Sequence, residues 1–160
     1  MKKDYVNGSD MLLYINGEAV GHCSSHSVSF SSETKDRAVK PVASAALESG
    51  LYKGKGVTGL SYTISAEGLV FYNETESGFR KLLSYWKTGK PVEIKCMERG
   101  GSKPYLSGSA IIKSLERTDP AVEDSKYSIS LENNGAPEID ETALTEAEPT
   151  ASSATSGTGK

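Results

Sequence analysis

The sequence predicts a mainly β fold: an antiparallel β-sandwich or open barrel with one flanking α-helix and a disordered C-terminal tail. Three observations lead there. Several segments alternate apolar and polar residues, the period of a strand with one buried face. A single stretch carries the apolar spacing of an amphipathic helix. Past Gly135 the composition turns to Glu, Thr, Ala, Ser and Gly, which cannot bury enough apolar area to offset the entropy of ordering. Residues 1–135 are therefore expected to form one domain and residues 136–160 a flexible tail.

Met11-Leu-Leu-Tyr-Ile15 reads as a short strand, and Asn16-Gly17 as a tight turn because both residues tolerate positive φ. The return strand begins at Glu18 and is expected to continue through His26 to Ser32, with Val28 and Phe30 on one face and Ser27, Ser29 and Ser31 on the other. From Lys35 to Gly56 the alternation gives way to charges, Pro41, small residues and a Gly-Lys-Gly cluster. So long a connection inside a compact domain marks an interaction arm. A long strand then spans Val57 to Tyr72. In it Leu60, Tyr62, Ile64, Ala66, Val70 and Tyr72 take the even positions, while Ser61, Thr63, Ser65 and Glu67 take odd ones.

Asn73, with Glu76 three residues later, offers an N-cap and a capping carboxylate, so a helix is expected over about 75–88. Phe79, Leu82, Leu83 and Trp86 form its apolar stripe, with Trp86 expected in the core, and Gly89 and Pro91 end it. Val92, Ile94 and Cys96 alternate with Glu93 and Lys95 in the next strand. The turn Arg99–Pro104 leads to a strand from Tyr105 to about Glu116. After a turn near Asp119-Pro120, the last strand alternates Tyr127, Ile129 and Leu131 with Ser128, Ser130 and Glu132.

Charge divides along the domain boundary. The last 25 residues hold five acids against Lys160, leaving 17 basic and 16 acidic groups in the first 135. A near-neutral body with interspersed signs gives no footprint for tight nucleic-acid binding. No apolar run is long enough to span a bilayer, so no membrane role is expected. The opening Met1-Lys-Lys-Asp-Tyr5 has no signal-peptide core, and the two cysteines, Cys23 and Cys96, are expected as reduced thiols in a cytoplasmic product.

The chain has no constellation of catalytic residues. His22, Cys23 and His26 are the nearest approach to a metal site, but on a regular strand both imidazoles face away from the thiol and no fourth ligand is near. The serines lack a base, an orienting group and a Gly-x-Ser-x-Gly elbow. Gly54-Lys-Gly-Val-Thr-Gly59 lacks the Gly-Lys-Ser/Thr order of a phosphate loop and precedes a strand. Gly108, between Ser107 and Ser109, marks a bulge or close packing. The expectation is a non-enzyme with no cofactor and no metal. The hydroxylated positions Ser61, Thr63, Ser65, Ser128 and Ser130 form either an ordinary solvated sheet face or a wall of short, uncharged groups along which a polyanion slides without being gripped.

The order of these segments resembles the major tail tube proteins of long-tailed bacteriophages. The likeness runs over roughly positions 10–135, through Met11-Leu-Leu-Tyr-Ile-Asn-Gly17, Gly59-Leu-Ser-Tyr-Thr-Ile-Ser-Ala-Glu-Gly-Leu69 and Phe79-Arg-Lys-Leu-Leu-Ser-Tyr-Trp86. It continues in Gly89-Lys-Pro-Val-Glu-Ile94, Gly108-Ser-Ala-Ile-Ile-Lys-Ser-Leu115 and Tyr127-Ser-Ile-Ser-Leu-Glu-Asn-Asn-Gly135. The resemblance implies hexameric rings stacked into a tube for genome ejection, with sheets joined edge to edge into a lumen-lining barrel. It implies as partners the chain itself, the tape measure, tail terminator and distal tail proteins, and DNA in transient passage. It also implies residence in the virion tail after assembly in the bacterial cytoplasm. Carried onto this chain, Ser61, Thr63, Ser65 and Glu67 become candidate lumen residues. Lys35, Asp36, Arg37, Lys40, Tyr52, Lys53 and Lys55 become the candidate inter-subunit arm, with Met1–Asp10 and Asn133–Asp140 as further contact segments.

Two alternatives stand beside this reading. One is the inner-tube subunit of a contractile injection or type VI-like secretion system. The other is a glycan-binding sandwich using Tyr52, Tyr62, Tyr72 or Trp86 as stacking platforms.

Overall fold

The structure is a computed structural model and describes residues 5–37, 54–72 and 77–144. Eight antiparallel strands form one open sheet: β1 (Met11–Ile15), β2 (Glu18–Ala19), β3 (Cys23–Arg37), β4 (Gly54–Leu69), β5 (Val92–Glu98), β6 (Leu106–Thr118), β7 (Lys126–Asn133) and β8 (Glu138–Ile139). The order is β2-β1-β5-β6-β7-β4-β3, with β8 pairing to β6. Between β4 and β5 lies α1 (Phe79–Thr88).

Alternation in sequence becomes alternation in burial. On β4 the side chains of Tyr62, Ile64 and Ala66 are buried, whereas Ser61, Ser65 and Glu67 are exposed. They meet Leu13 and Ile15 of β1, Val92, Ile94 and Cys96 of β5, Leu106, Ala110 and Ile112 of β6, and Tyr127, Ile129 and Leu131 of β7 in one apolar cluster. The sheet coils around this cluster, so Tyr62 of β4 reaches across to donate its hydroxyl to the Ser109 carbonyl of β6 at 3.1 Å. A side chain on Gly108 would stand 3.1 Å from that hydroxyl and 3.3 Å from Pro137, so close packing is the reason for glycine there.

The Asn16-Gly17 turn forms as expected, with φ of 52° and 83°. The strand after it does not run unbroken to Ser32. The chain turns at His22, φ 49°, where Gly21 N–H donates to the Ser77 carbonyl and His22 accepts from Leu69 N–H. Only then does β3 begin. The predicted arm is also shorter than expected, because β3 continues to Arg37 and β4 starts at Gly54, with Arg37 opposite Gly54 and Lys35 opposite Gly56. Lys35, Asp36, Arg37 and Lys55 are therefore strand residues of a long hairpin; Lys40, Tyr52 and Lys53 lie outside the described residues.

Helix α1 starts at Phe79, later than the expected 75, behind an N-cap Gly78 that offers no side-chain bond. The predicted cap from Asn73 to Glu76 lies outside the described residues. Its end is as expected, with Gly89 at φ 64° donating N–H to the Trp86 carbonyl. Only part of the expected stripe is inside. Leu82 is fully buried, with Phe79 and Tyr85 packed on the same cluster, while Leu83 and Trp86 remain 43% and 51% exposed. The helix thus lays its 79–82–85 edge on the sheet and turns Trp86 outward, correcting the expectation that Trp86 is a core residue.

The domain also extends past Gly135. β8 pairs Ile139 with Leu106 and Glu138 with Ser107, Asp140 N–H donates to the Tyr105 carbonyl, and a 3-10 turn covers Glu141–Leu144. This first part of the predicted tail is held by backbone hydrogen bonds, which its polar composition did not reveal; residues 145–160 lie outside the described residues.

Candidate functional site

Strand pairing assembles one broad hydroxylated face opposite the core. Residues directly across an antiparallel ladder share a face. β3 and β4 pair Ser25 with Glu67, Ser27 with Ser65, Ser29 with Thr63 and Ser31 with Ser61. β4 and β7 pair Thr63 with Glu132, Ser65 with Ser130 and Glu67 with Ser128. A register shift on β6 leaves Lys113 unpaired in the ladder and returns Ser114 and Glu116 to the same face, opposite Ser130 and Ser128. The sequence-predicted positions Ser61, Thr63, Ser65 and Glu67 are thus its central file. Sequence reading missed Ser114 and Glu116 as members because the β6 bulge changes the parity of the pattern; Ser25, which keeps the parity of Ser27, Ser29 and Ser31, was not included.

Charge on this face is sparse and partly cancelled. Lys113 Nζ donates to Glu132 at 2.6 Å. Both side chains are half exposed, so the pair adds little to stability but removes one free cation from the surface.

The hairpin extends this site beyond the body of the sheet. β7 pairs with β4 only as far as Thr63, and Tyr62 N–H still donates to the Asn133 side chain at 3.3 Å, so from Ser61 back to Gly54 the ladder partner of the strand is β3. The flanking glycines are used closely. A side chain on Gly56 would collide with the Arg37 guanidinium at 2.6 Å, and Gly59 leaves room for the Glu33 carboxylate at 3.2 Å.

The residues weighed for metal binding are arranged differently from the strand expectation. A bulge at Ser24, whose hydroxyl donates to the Glu67 carbonyl, places Cys23 opposite Gly68 and His26 opposite Ala66, both on the core side. His22 instead lies in the preceding turn, its ring 4.3 Å from that of Phe71. Burial raises the Cys23 thiol pKa and lowers that of His26. Cys23 and His26 line an open groove of roughly 830 Å³ between β1 and β3 with Leu13, Val28 and Phe30.

Burial also shapes the other cysteine. Cys96 is enclosed and its thiol is pushed up to about 11, while the neighbouring Tyr105 hydroxyl is pushed up to about 12 by burial and by Cys96. Neither group ionises near neutrality. The proposed glycan platforms do not converge. Tyr62 is buried in the core, Tyr72 and Trp86 sit on separate segments, and Tyr52 lies outside the described residues.

Comparison with known proteins gives a consistent picture. The family model for phage tail tube proteins matches residues 5–139. No curated protein matches the sequence. Among solved structures, the fold is similar to a chain of the virion of a native gene transfer agent particle at 18% identity and TM-score 0.66, covering 85% of this chain and 99% of that one. The same values hold for the tail of the empty particle, which has C6 symmetry. The SPP1 tail tube is similar at 15% identity and TM-score 0.57, with 90% and 88% covered. The sheath-tube complex of an extracellular contractile injection system follows at 14% and 0.56, with 86% and 94% covered.

Proposed function

Since the chain belongs to the phage tail tube protein family, we infer that it is a structural subunit of a bacteriophage tail tube, assembling as hexameric rings that stack around a channel for the genome. The observation that carries this is the hydroxylated face of β3, β4 and β7, continued on β6 by Ser114 and broken there by Ile111 opposite Glu132. Its short, hydrated hydroxyls make a wall that a polyanion passes without adhering, and Glu67 and Glu116 repel phosphate where they stand.

The edges of the sheet supply the assembly chemistry. Among the described residues β3 ends the strand order, and an edge of 15 residues would be an aggregation hazard in a solitary protein. A closed ring removes that hazard by pairing it with a neighbour. The hairpin carrying Lys35, Asp36, Arg37 and Lys55 is the inter-subunit arm. Tape measure, tail terminator and distal tail proteins are the expected partners at the tube's core and ends.

Electron microscopy of the concentrated full-length protein tests the reading: stacked rings with an open channel are expected, and a species that stays single at every concentration refutes it. The injection-tube alternative shares the fold, and the two separate on cargo. DNA inside native particles carrying this chain supports the phage reading, and protein cargo within a contractile sheath overturns it.

A further inference from the structure

Resting on the reading of the hydroxylated face as the channel wall, we propose that Glu132 sets the selectivity of that wall: it cancels Lys113, which without it would bind nucleic-acid phosphate.

Where β4 runs between β3 and β7, the cations of this face stand beside carboxylates. Lys126 lies opposite Leu69 on β4 and Thr118 on β6, and so diagonal to Glu67 and Glu116 on the same face. Such diagonal positions are within reach of a long side chain. Lys113 is in direct contact with its partner. Its Nζ donates to Glu132 Oε1 at 2.6 Å, and the two side chains are 62% and 50% exposed, open to anything that passes. Across the ladder Glu132 faces Thr63 on β4 and Ile111 on β6, and neither carries charge. Its carboxylate is therefore directed to Lys113.

The place of Lys113 gives this contact its consequence. The β6 bulge inserts it between Ile112 and Ser114, and the bond to Glu132 puts its ammonium on the hydroxylated side. The adjoining row of the face reads Ser27, Ser65, Ser130 and Ser114, one short hydroxyl from each strand. A lysine stem of four carbons carries its charge well above such groups. Left uncancelled, that ammonium is the first group a passing phosphate meets. An exposed ion pair is weak, so Glu132 acts by cancelling charge at this spot and not by locking the side chain. Assembly multiplies the effect. Ring symmetry repeats Lys113 around the channel at one height, and every phosphate that a cation neutralises releases counterions and adds to the affinity.

Co-sedimentation of assembled full-length tubes with a labelled short DNA duplex tests the assignment. At about 50 mM salt E132Q is expected to retain about tenfold more DNA than wild type or better, and to lose it near 200 mM. K113M and K113M/E132Q are expected to match wild type, although the double variant lacks the ion pair as completely as E132Q does. Equal retention by E132Q and the double variant would make the role of Glu132 merely structural and overturn the proposal. E132Q tubes that behave as wild type would overturn it too, and retention by S61K/T63K/S65K in the same assay would then leave the wall reading standing. Failure of both to retain DNA would remove that reading as well. For a variant that forms no tubes, fluorescence anisotropy of the same duplex with unassembled subunits makes the same comparison, with E132Q expected to bind tightest and the double variant to match wild type.

Discussion

Gly68→Ala is the substitution whose cost the structure defines most closely. A methyl group at Gly68 would stand 2.7 Å from the His22 carbonyl oxygen and 2.7 Å from both Cζ and the hydroxyl oxygen of Tyr127. Neither neighbour can give way freely. His22 is backbone held by Leu69 N–H, and Tyr127 is 2% exposed with its hydroxyl donating to the Gly21 carbonyl at 2.6 Å. Overpacking of a filled core costs about 1–3 kcal/mol, and displacing Tyr127 strips a buried acceptor at about 1–3 kcal/mol more, so a loss of roughly 2–6 kcal/mol is expected. For a chain of this length that lowers Tm by roughly 5–20 °C. Urea denaturation of the full-length protein, followed by tryptophan fluorescence and circular dichroism, measures the loss. Gly8→Ala is the control, because nothing lies within 4 Å of the added carbon. Tyr127→Phe in the Gly68→Ala background should recover part of the loss by removing one of the colliding atoms. A Gly68→Ala protein within about 0.5 kcal/mol of wild type, the range of an inert surface change, would refute the packing argument.

The helix separates two residues of similar character. Leu82→Ala is expected to cost about 2–5 kcal/mol as a buried truncation, whereas Trp86→Ala should change stability by less than about 1 kcal/mol because half of its surface is already in water; chemical denaturation distinguishes them. Replacing Ser61, Thr63 and Ser65 by lysine should leave the fold intact, since all three lie off the core, yet make assembled tubes retain DNA in a filter-binding assay at low salt. Alkaline pH should destabilise the fold. The Cys96 thiol is raised in the folded chain from 9.0 to about 11, so its contribution is complete below pH 9 and is lost as pH rises through 11, about 2–3 kcal/mol in all. Cys96→Ala should flatten that part of a stability-against-pH curve.

Much of this architecture is legible in sequence wherever one face of an element is buried and the other wet. β4, β5 and β7 declare themselves because Tyr62, Ile94 and Leu131 alternate with groups that stay exposed. The same rule hides the hairpin from Glu33 to Arg37, where every side chain is exposed and backbone pairing, with the Thr58 hydroxyl on the Glu33 carbonyl, holds the strand. Bulges are equally silent. Those at Ser24, Thr58 and Lys113 shift which residues share a face, and nothing in composition announces a skipped partner. Trp86 was misjudged for a third reason: an apolar stripe gives the orientation of a helix only to within a residue or so, and α1 meets the sheet along Phe79, Leu82 and Tyr85 instead. The hydroxylated face itself was readable on β4 alone; its breadth came from the order β6-β7-β4-β3, which is a tertiary fact.

A side-chain-resolution cryo-EM map of the assembled tube decides which face lines the channel. Ser61, Thr63 and Ser65 of every subunit are expected to point into the open channel, with Leu82 and the apolar cluster behind them. A tube in which that file of residues faces outward, or is covered by a neighbouring subunit, contradicts it.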